Sequence, residues 1–222
     1  RNMICHYADI ADSENCELFC IGCELDGVEY RNDEWSGVID SVRKFYSGPV
    51  TYNLTMNIHD LSDGRAWLKK LDLVGVSGYF KVGPADRSIS LAEMIEGWKP
   101  WNEKLEKFSQ WLGRPIFFAE TGARPMRGAA GITGDFWVEG AVYSEQDQAD
   151  YYISILENFK DKDYFYGVFY WKWDEQQERP QYYLKTGEYI GLEPQHRLAG
   201  EALKKWYASG VYPRKIISGE KN

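Results

Sequence analysis

Short apolar runs alternate with longer amphipathic stretches along this chain. Residues 17–23 (ELFCIGC) form a brief apolar run that stops at Glu24, which reads as a strand. Residues 34–46 follow with Trp35, Val38, Ile39, Val42 and Phe45 on one helical face. Gly48-Pro49 breaks that helix, and Val50–Leu54 (VTYNL) reads as the next strand. Residues 64–70 suit a short helix, and residues 71–80 (LDLVGVSGYF) a strand buried on both faces. The pattern over residues 90–112 predicts a long helix, split at Gly97 and Pro100 because proline removes a helix donor and clashes with the preceding turn. Residues 116–119 (IFFA) lead to Glu120 and then to a glycine-rich loop of about two dozen residues. Ser144 has the chemistry of an N-cap for a helix over 144–159, with Tyr151, Tyr152, Ile155 and Phe159 facing inward. Residues 164–173 (YFYGVFYWKW) read as the last strand, and Ala199, Leu203 and Trp206 mark a closing helix over 197–207.

This β-α-β-α order predicts an α/β fold, a parallel sheet of the (β/α)8 TIM-barrel type with helices outside. Five strands are visible in 222 residues, whereas a closed eight-stranded barrel takes about 250. Residues 1–10 read as a helix that ought to follow earlier strands. The expectation is therefore a single partial barrel domain over residues 1–222 that lacks the first three βα units. Open sheet edges invite pairing, so a homo-oligomer or further chain is expected to cover them.

Composition narrows the function classes. A net charge of −8 argues against nucleic acid or an anionic membrane as partner, and no run reaches the roughly 18 apolar residues of a membrane span. No signal segment opens the chain, but localisation stays open because its start reads as incomplete. The 9 Trp, 16 Tyr and 10 Phe exceed what a core of this size needs, which points to a surface that stacks on something flat and polar, of which sugar rings are one candidate; a tyrosine-rich core accounts for part of the excess.

All four cysteines lie within the first 23 residues, unlike a disulfide framework for a whole domain. Cys16, Cys20 and Cys23 have the C-x3-C-x2-C spacing with which radical-SAM enzymes hold an iron–sulfur cluster. The segment around them is apolar and poor in turn residues, which favours buried strand thiols over a cluster loop. His6, His59 and His196 show no spacing that suggests a metal, and no metal or other cofactor is expected.

Glu24 and Glu120 each end an apolar strand. In a parallel barrel both stand at the carboxyl-terminal face, where active sites sit. Two carboxylates there suit cleavage of an acetal, which needs a proton for the leaving oxygen and a negative group beneath the oxocarbenium centre. A single strand-end glutamate more simply caps its strand; a pair with aromatics nearby favours chemistry.

Five segments then resemble one family in order. Residues 19–25 (FCIGCEL) resemble the fourth-strand acid/base motif of the retaining (β/α)8 glycoside hydrolases, and residues 115–122 (PIFFAETG) their seventh-strand nucleophile motif. Residues 71–80, residues 167–173 (GVFYWKW) and the closing helix from Leu198 complete a resemblance to glycoside hydrolase family 113, the β-mannanases. The resemblance implies retaining cleavage of β-1,4-mannosidic linkages, with β-mannan or manno-oligosaccharide as the partner. It implies that Glu24 is acid/base, kept protonated by partial burial, and that Glu120 is the nucleophile. It also implies that Tyr79 donates to Glu120 and that Trp171, with Trp173, floors the sugar; their two-residue separation would put both on one strand face. Tyr52, Asn53 and Trp137 are further candidate sugar contacts. Cys23 stands where the clan usually has an asparagine bonded to a sugar hydroxyl, and a thiol is a weak donor and poor acceptor. That departure and the absent front of the barrel leave a non-catalytic carbohydrate-binding fragment as the alternative, with the radical-SAM enzyme as a second.

Overall fold

A computed structural model describes residues 2–55, 65–135, 138–176 and 191–209. Five strands, β1 (Phe19–Cys23), β2 (Val50–Leu54), β3 (Val74–Ser77), β4 (Ile116–Thr121) and β5 (Phe165–Tyr170), form one sheet in the order β1-β2-β3-β4-β5. Every neighbouring pair is parallel. Among the described residues six α-helices accompany them, α1 (Asn2–Ser13), α2 (Asn32–Val42), α3 (Leu91–Gly97), α4 (Lys99–Leu112), α5 (Glu145–Phe159) and α6 (Leu198–Ala208), besides three short 3-10 turns. Among the described residues β1 and β5 each pair on one side only, so the sheet is open there.

Local chemistry accounts for these boundaries. Ser90 caps α3 through a reciprocal capping box with Glu93, and the Ser144 hydroxyl accepts the Asp147 amide at the start of α5. The long helix over 90–112 does split where expected. Pro100 falls in the first turn of α4, where its missing donor costs nothing. A Cβ at Gly97 would lie 1.9 Å from the Val82 carbonyl, so that close approach needs a glycine.

Several elements are shorter than their sequence patterns. The helix predicted over 34–46 ends at Val42, and Phe45, in the turn beyond it, is exposed rather than core. The strand expected over 71–80 keeps ladder pairing only at Val74–Ser77, which leaves Tyr79 beyond its end. The last strand stops at Tyr170 instead of Trp173.

The main core lies between the sheet and the helices and is built largely from rings. Trp35 stacks on Trp67 at 4.8 Å, and Tyr52 meets both edge-on. Trp98, Phe118, Phe159 and Phe165 form a second ring cluster behind β4 and β5. This corrects the expectation drawn from composition. Of the described tryptophans, Trp35, Trp67 and Trp98 are buried, and only Trp171 and Trp173 are exposed. Most of the described aromatic excess is packing.

The thiols correct a second expectation. Cys16, Cys20 and Cys23 are exposed and Cys5 is half-buried, because β1 is an outer strand here and buries only Ile21. Among the described residues no three His, Cys, Asp or Glu side chains are placed to hold a metal ion, so the three cysteines do not converge as cluster ligands. No described helix is long and apolar enough to cross a membrane.

Candidate active site

Because all five strands run the same way, their carboxyl ends share one rim of the sheet. Glu24 follows β1 directly, held at a left-handed φ of 52° by its own amide, which donates to the Asn53 carbonyl at 2.8 Å. Glu120 is the penultimate residue of β4 and is half-buried. Glu24 is exposed, not partly buried as expected.

Two residues of the β3 end serve the two carboxylates. The Tyr79 hydroxyl donates to Glu120 Oε1 at 2.6 Å. The Ser77 hydroxyl donates to Glu24 Oε1. Ser77 is also the register partner of Glu120 on the adjacent strand, one spacing of about 4.8 Å away. The carboxyl group of Glu24 is thus brought against the strand neighbour of Glu120.

The electrostatics agree. Burial first, then the hydrogen bond to Glu120 and the charges of both glutamates, hold the Tyr79 phenol far above its usual range. It stays a proton donor. Desolvation pushes the Cys23 thiol up, the Asn53 hydrogen bond opposes this, and the charges of Glu24 and Glu120 add to the rise. The charges of Glu24 and Glu120 thus reach both Tyr79 and Cys23.

Asn53 sits behind that patch at 4% exposure. Its amide donates to Ser77 Oγ at 3.1 Å and to Cys23 Sγ at 3.3 Å. It is therefore placed to hold the site from behind rather than to meet a sugar face. Trp171 and Trp173, at 49% and 54% exposure, lie beyond β5, so strand alternation does not align them as the sequence suggested. Instead, the Trp171 amide donates to the Thr121 carbonyl at 2.7 Å, one residue after Glu120. A Cβ at Gly122 would lie 2.2 Å from the Trp171 carbonyl, so the two backbones touch there.

Tyr52 is not at the open face. It is 0% exposed, on the helix side of β2 among Trp35 and Trp67. Its hydroxyl donates to Glu29 and accepts the Leu25 amide, each at 2.8 Å. Tyr52 therefore tethers the turn after Glu24 but offers nothing to a sugar. Trp137 and His59 fall outside the described residues. Ser77 was not among the candidates from sequence; its only signal is its place two residues before Tyr79, which puts both side chains on one side of an extended segment.

The family model for Glycoside Hydrolase Family 113 matches residues 1–190. The chain belongs to glycoside hydrolase family 113. A solved complex of a GH113 β-1,4-mannanase superposes with a TM-score of 0.74 at 29% identity, over 94% of this chain and 61% of that one. The GH113 β-mannanase AaManA from Alicyclobacillus acidocaldarius, in complex with ManMIm, gives 0.75 at 24% identity, over 94% and 60%. The chain thus spans about three fifths of the family members it matches, and its five strands are part of their (β/α)8 barrel. A Ruminococcus gnavus β-glucuronidase, 14% identical with a TM-score of 0.58 over 91% of this chain and 35% of that one, shares the fold. A comparison with curated proteins finds no match. Family membership together with the dispersed thiols removes the radical-SAM alternative.

Proposed function

We propose that this chain carries the catalytic carboxylates of a β-1,4-mannan hydrolase that works with retention of configuration. The observation that carries the reading is the pair Glu24 and Glu120 at one rim of a family 113 sheet, each served by a hydroxyl from the last residue of β3 or just beyond it. Glu24 gives its proton to the glycosidic oxygen as the bond from C1 to that oxygen breaks. Glu120 attacks C1 and forms a glycosyl-enzyme. Water then attacks C1, loses its proton to Glu24, and Glu120 leaves as a carboxylate. Retention needs the carboxyl groups about 5–5.5 Å apart, and the contact of Glu24 with the register partner of Glu120 supports that spacing. Trp171, exposed next to the end of β4, is the sugar platform in this reading, and Trp173 extends it. β-Mannan and manno-oligosaccharides are the proposed substrates, in line with the GH113 neighbours, which are β-mannanases.

Glu120→Ala tests the assignment. It is expected to abolish hydrolysis of manno-oligosaccharide, while azide restores turnover and yields the glycosyl azide of inverted configuration. Wild-type-like turnover in the variant would remove Glu120 from the role. Oligosaccharide binding by the wild-type chain with no release of reducing ends would favour the non-catalytic alternative.

A further inference from the structure

The hydrogen-bond polarity behind Glu24 determines more than its position. Ser77 is 2% exposed. Its oxygen accepts an amide proton from Asn53 at 3.1 Å, so its own single proton must go elsewhere, and the structure sends it to Glu24 Oε1. The competing acceptor is close by: Asn53 Oδ1 is buried and has no hydrogen-bond partner. Ser77 could satisfy that oxygen only by turning from Glu24 and only if the Asn53 amide also turned over. The structure gives the hydroxyl to Glu24 and leaves the Asn53 oxygen without a donor. An orphaned amide oxygen is therefore tolerated so that Glu24 keeps its donor.

We propose that Ser77, with its hydroxyl polarity set by Asn53, is a positioning residue that commits Glu24 Oε1 to accepting and so confines the transferable proton to Oε2. The inference rests on the acid/base reading of Glu24 given above. An oxygen that accepts a hydroxyl proton is the carbonyl oxygen of a protonated carboxyl. Oε2, the other oxygen of this exposed side chain, is then the one left to face a leaving group. The extended end of β3 then serves both halves of the reaction from one side, with Ser77 on the acid and Tyr79 on Glu120.

Two substrates separate this role from a structural one. An oligosaccharide leaving group needs the proton, whereas a dinitrophenolate departs without it. For Ser77→Ala, kcat/KM on manno-oligosaccharide relative to a dinitrophenyl β-mannoside is expected to fall about tenfold, a modest part of the 100-fold or more usual for general acid catalysis. Ser77→Thr, which keeps the hydroxyl, should restore the ratio. An equal loss on both substrates, or a Ser77→Thr variant as impaired as Ser77→Ala, would overturn the proposal. Neutron diffraction of the deuterated wild-type protein decides the hydrogen positions without turnover. A Ser77 deuteron directed at Glu24 supports the proposal, and one directed at Asn53 overturns it. Failure of wild type on both substrates would sink the hydrolase reading and the catalytic part of this one, while the neutron result still decides the hydrogen-bond polarity.

Discussion

The hydrogen bond from Tyr79 to Glu120 should matter more in the second half of the reaction than in the first. At 2.6 Å it falls in the range of charge-assisted hydroxyl–carboxylate bonds, whose net worth is about 1.5–3 kcal/mol. In the proposed retaining mechanism Glu120 attacks as a carboxylate and becomes a neutral ester as the glycosyl-enzyme forms, so the bond weakens on the way to that intermediate. The charge returns as the ester breaks, and the bond strengthens in that transition state. Only an interaction stronger in the transition state than in the state before it accelerates a step. Tyr79→Phe should therefore slow deglycosylation by about 10- to 150-fold, from 1.4 kcal/mol per factor of ten. Glycosylation should suffer only through looser orientation of Glu120. The half-buried ring is kept, so the fold should survive. The assay is stopped-flow release of dinitrophenol from a dinitrophenyl β-mannoside. The variant is expected to give a burst near one equivalent followed by a slow steady state, with kcat and KM falling together and the adduct visible by intact-protein mass spectrometry. Loss confined to kcat/KM with no burst would show that the bond serves the first step, and unchanged kinetics that it serves neither.

Gly122→Ala would place a Cβ 2.2 Å from the Trp171 carbonyl, and a backbone atom cannot step aside as a side chain can. Overpacking of this kind costs about 1–3 kcal/mol, so Tm should drop by several degrees and calorimetric affinity for manno-oligosaccharide should weaken with it. Wild-type Tm and affinity would show that Trp171 does not sit against the β4 end. The buried phenols make a prediction at high pH. Burial holds Tyr52, Tyr79, Tyr151, Tyr152 and Tyr164 above the ordinary tyrosine value, and burial with the Glu145 hydrogen bond pushes Tyr143 up to about 12. A folded-state value raised above the unfolded one contributes stability that is complete below about pH 10 and is lost as pH rises beyond it. Tm followed from about pH 8 to 12, with tyrosinate absorbance, should fall from about pH 10 as the phenols ionise together with unfolding. Ionisation of all tyrosines near pH 10 in a still-folded chain would contradict the packing of these rings.

What could be read from sequence was whatever local chemistry decides. Val50–Leu54 was bounded correctly because Gly48-Pro49 ends the preceding element, and α5 because Ser144 is a cap. The split at Gly97 and Pro100 has the same local origin. Errors arose where tertiary context decides. VTYNL is buried at every position, so no alternation of polar and apolar residues shows which way Tyr52 turns, and it was assigned to the wrong side of the sheet. The cysteines lie in an apolar run, but an outer strand leaves such a run exposed. Ser77 carries no periodic signal. Its meaning depends on register across four strands, with Glu24 at the end of β1 reached over β2 and Glu120 paired on β4.

The same register bears on the departure at Cys23. The Asn53 amide has two N–H donors, and it meets the weakly accepting Cys23 thiol with one while directing Ser77 with the other. An amide at position 23 would offer the Asn53 amide a better acceptor and its orphaned oxygen a donor. The cysteine thus removes one polar contact from the rim while the Asn53–Ser77 pair secures Glu24 from behind. In the proposed mechanism Cys23 therefore weakens sugar binding at the rim and spares proton delivery, because Asn53 and Ser77, which orient the proton, are buried on β2 and β3.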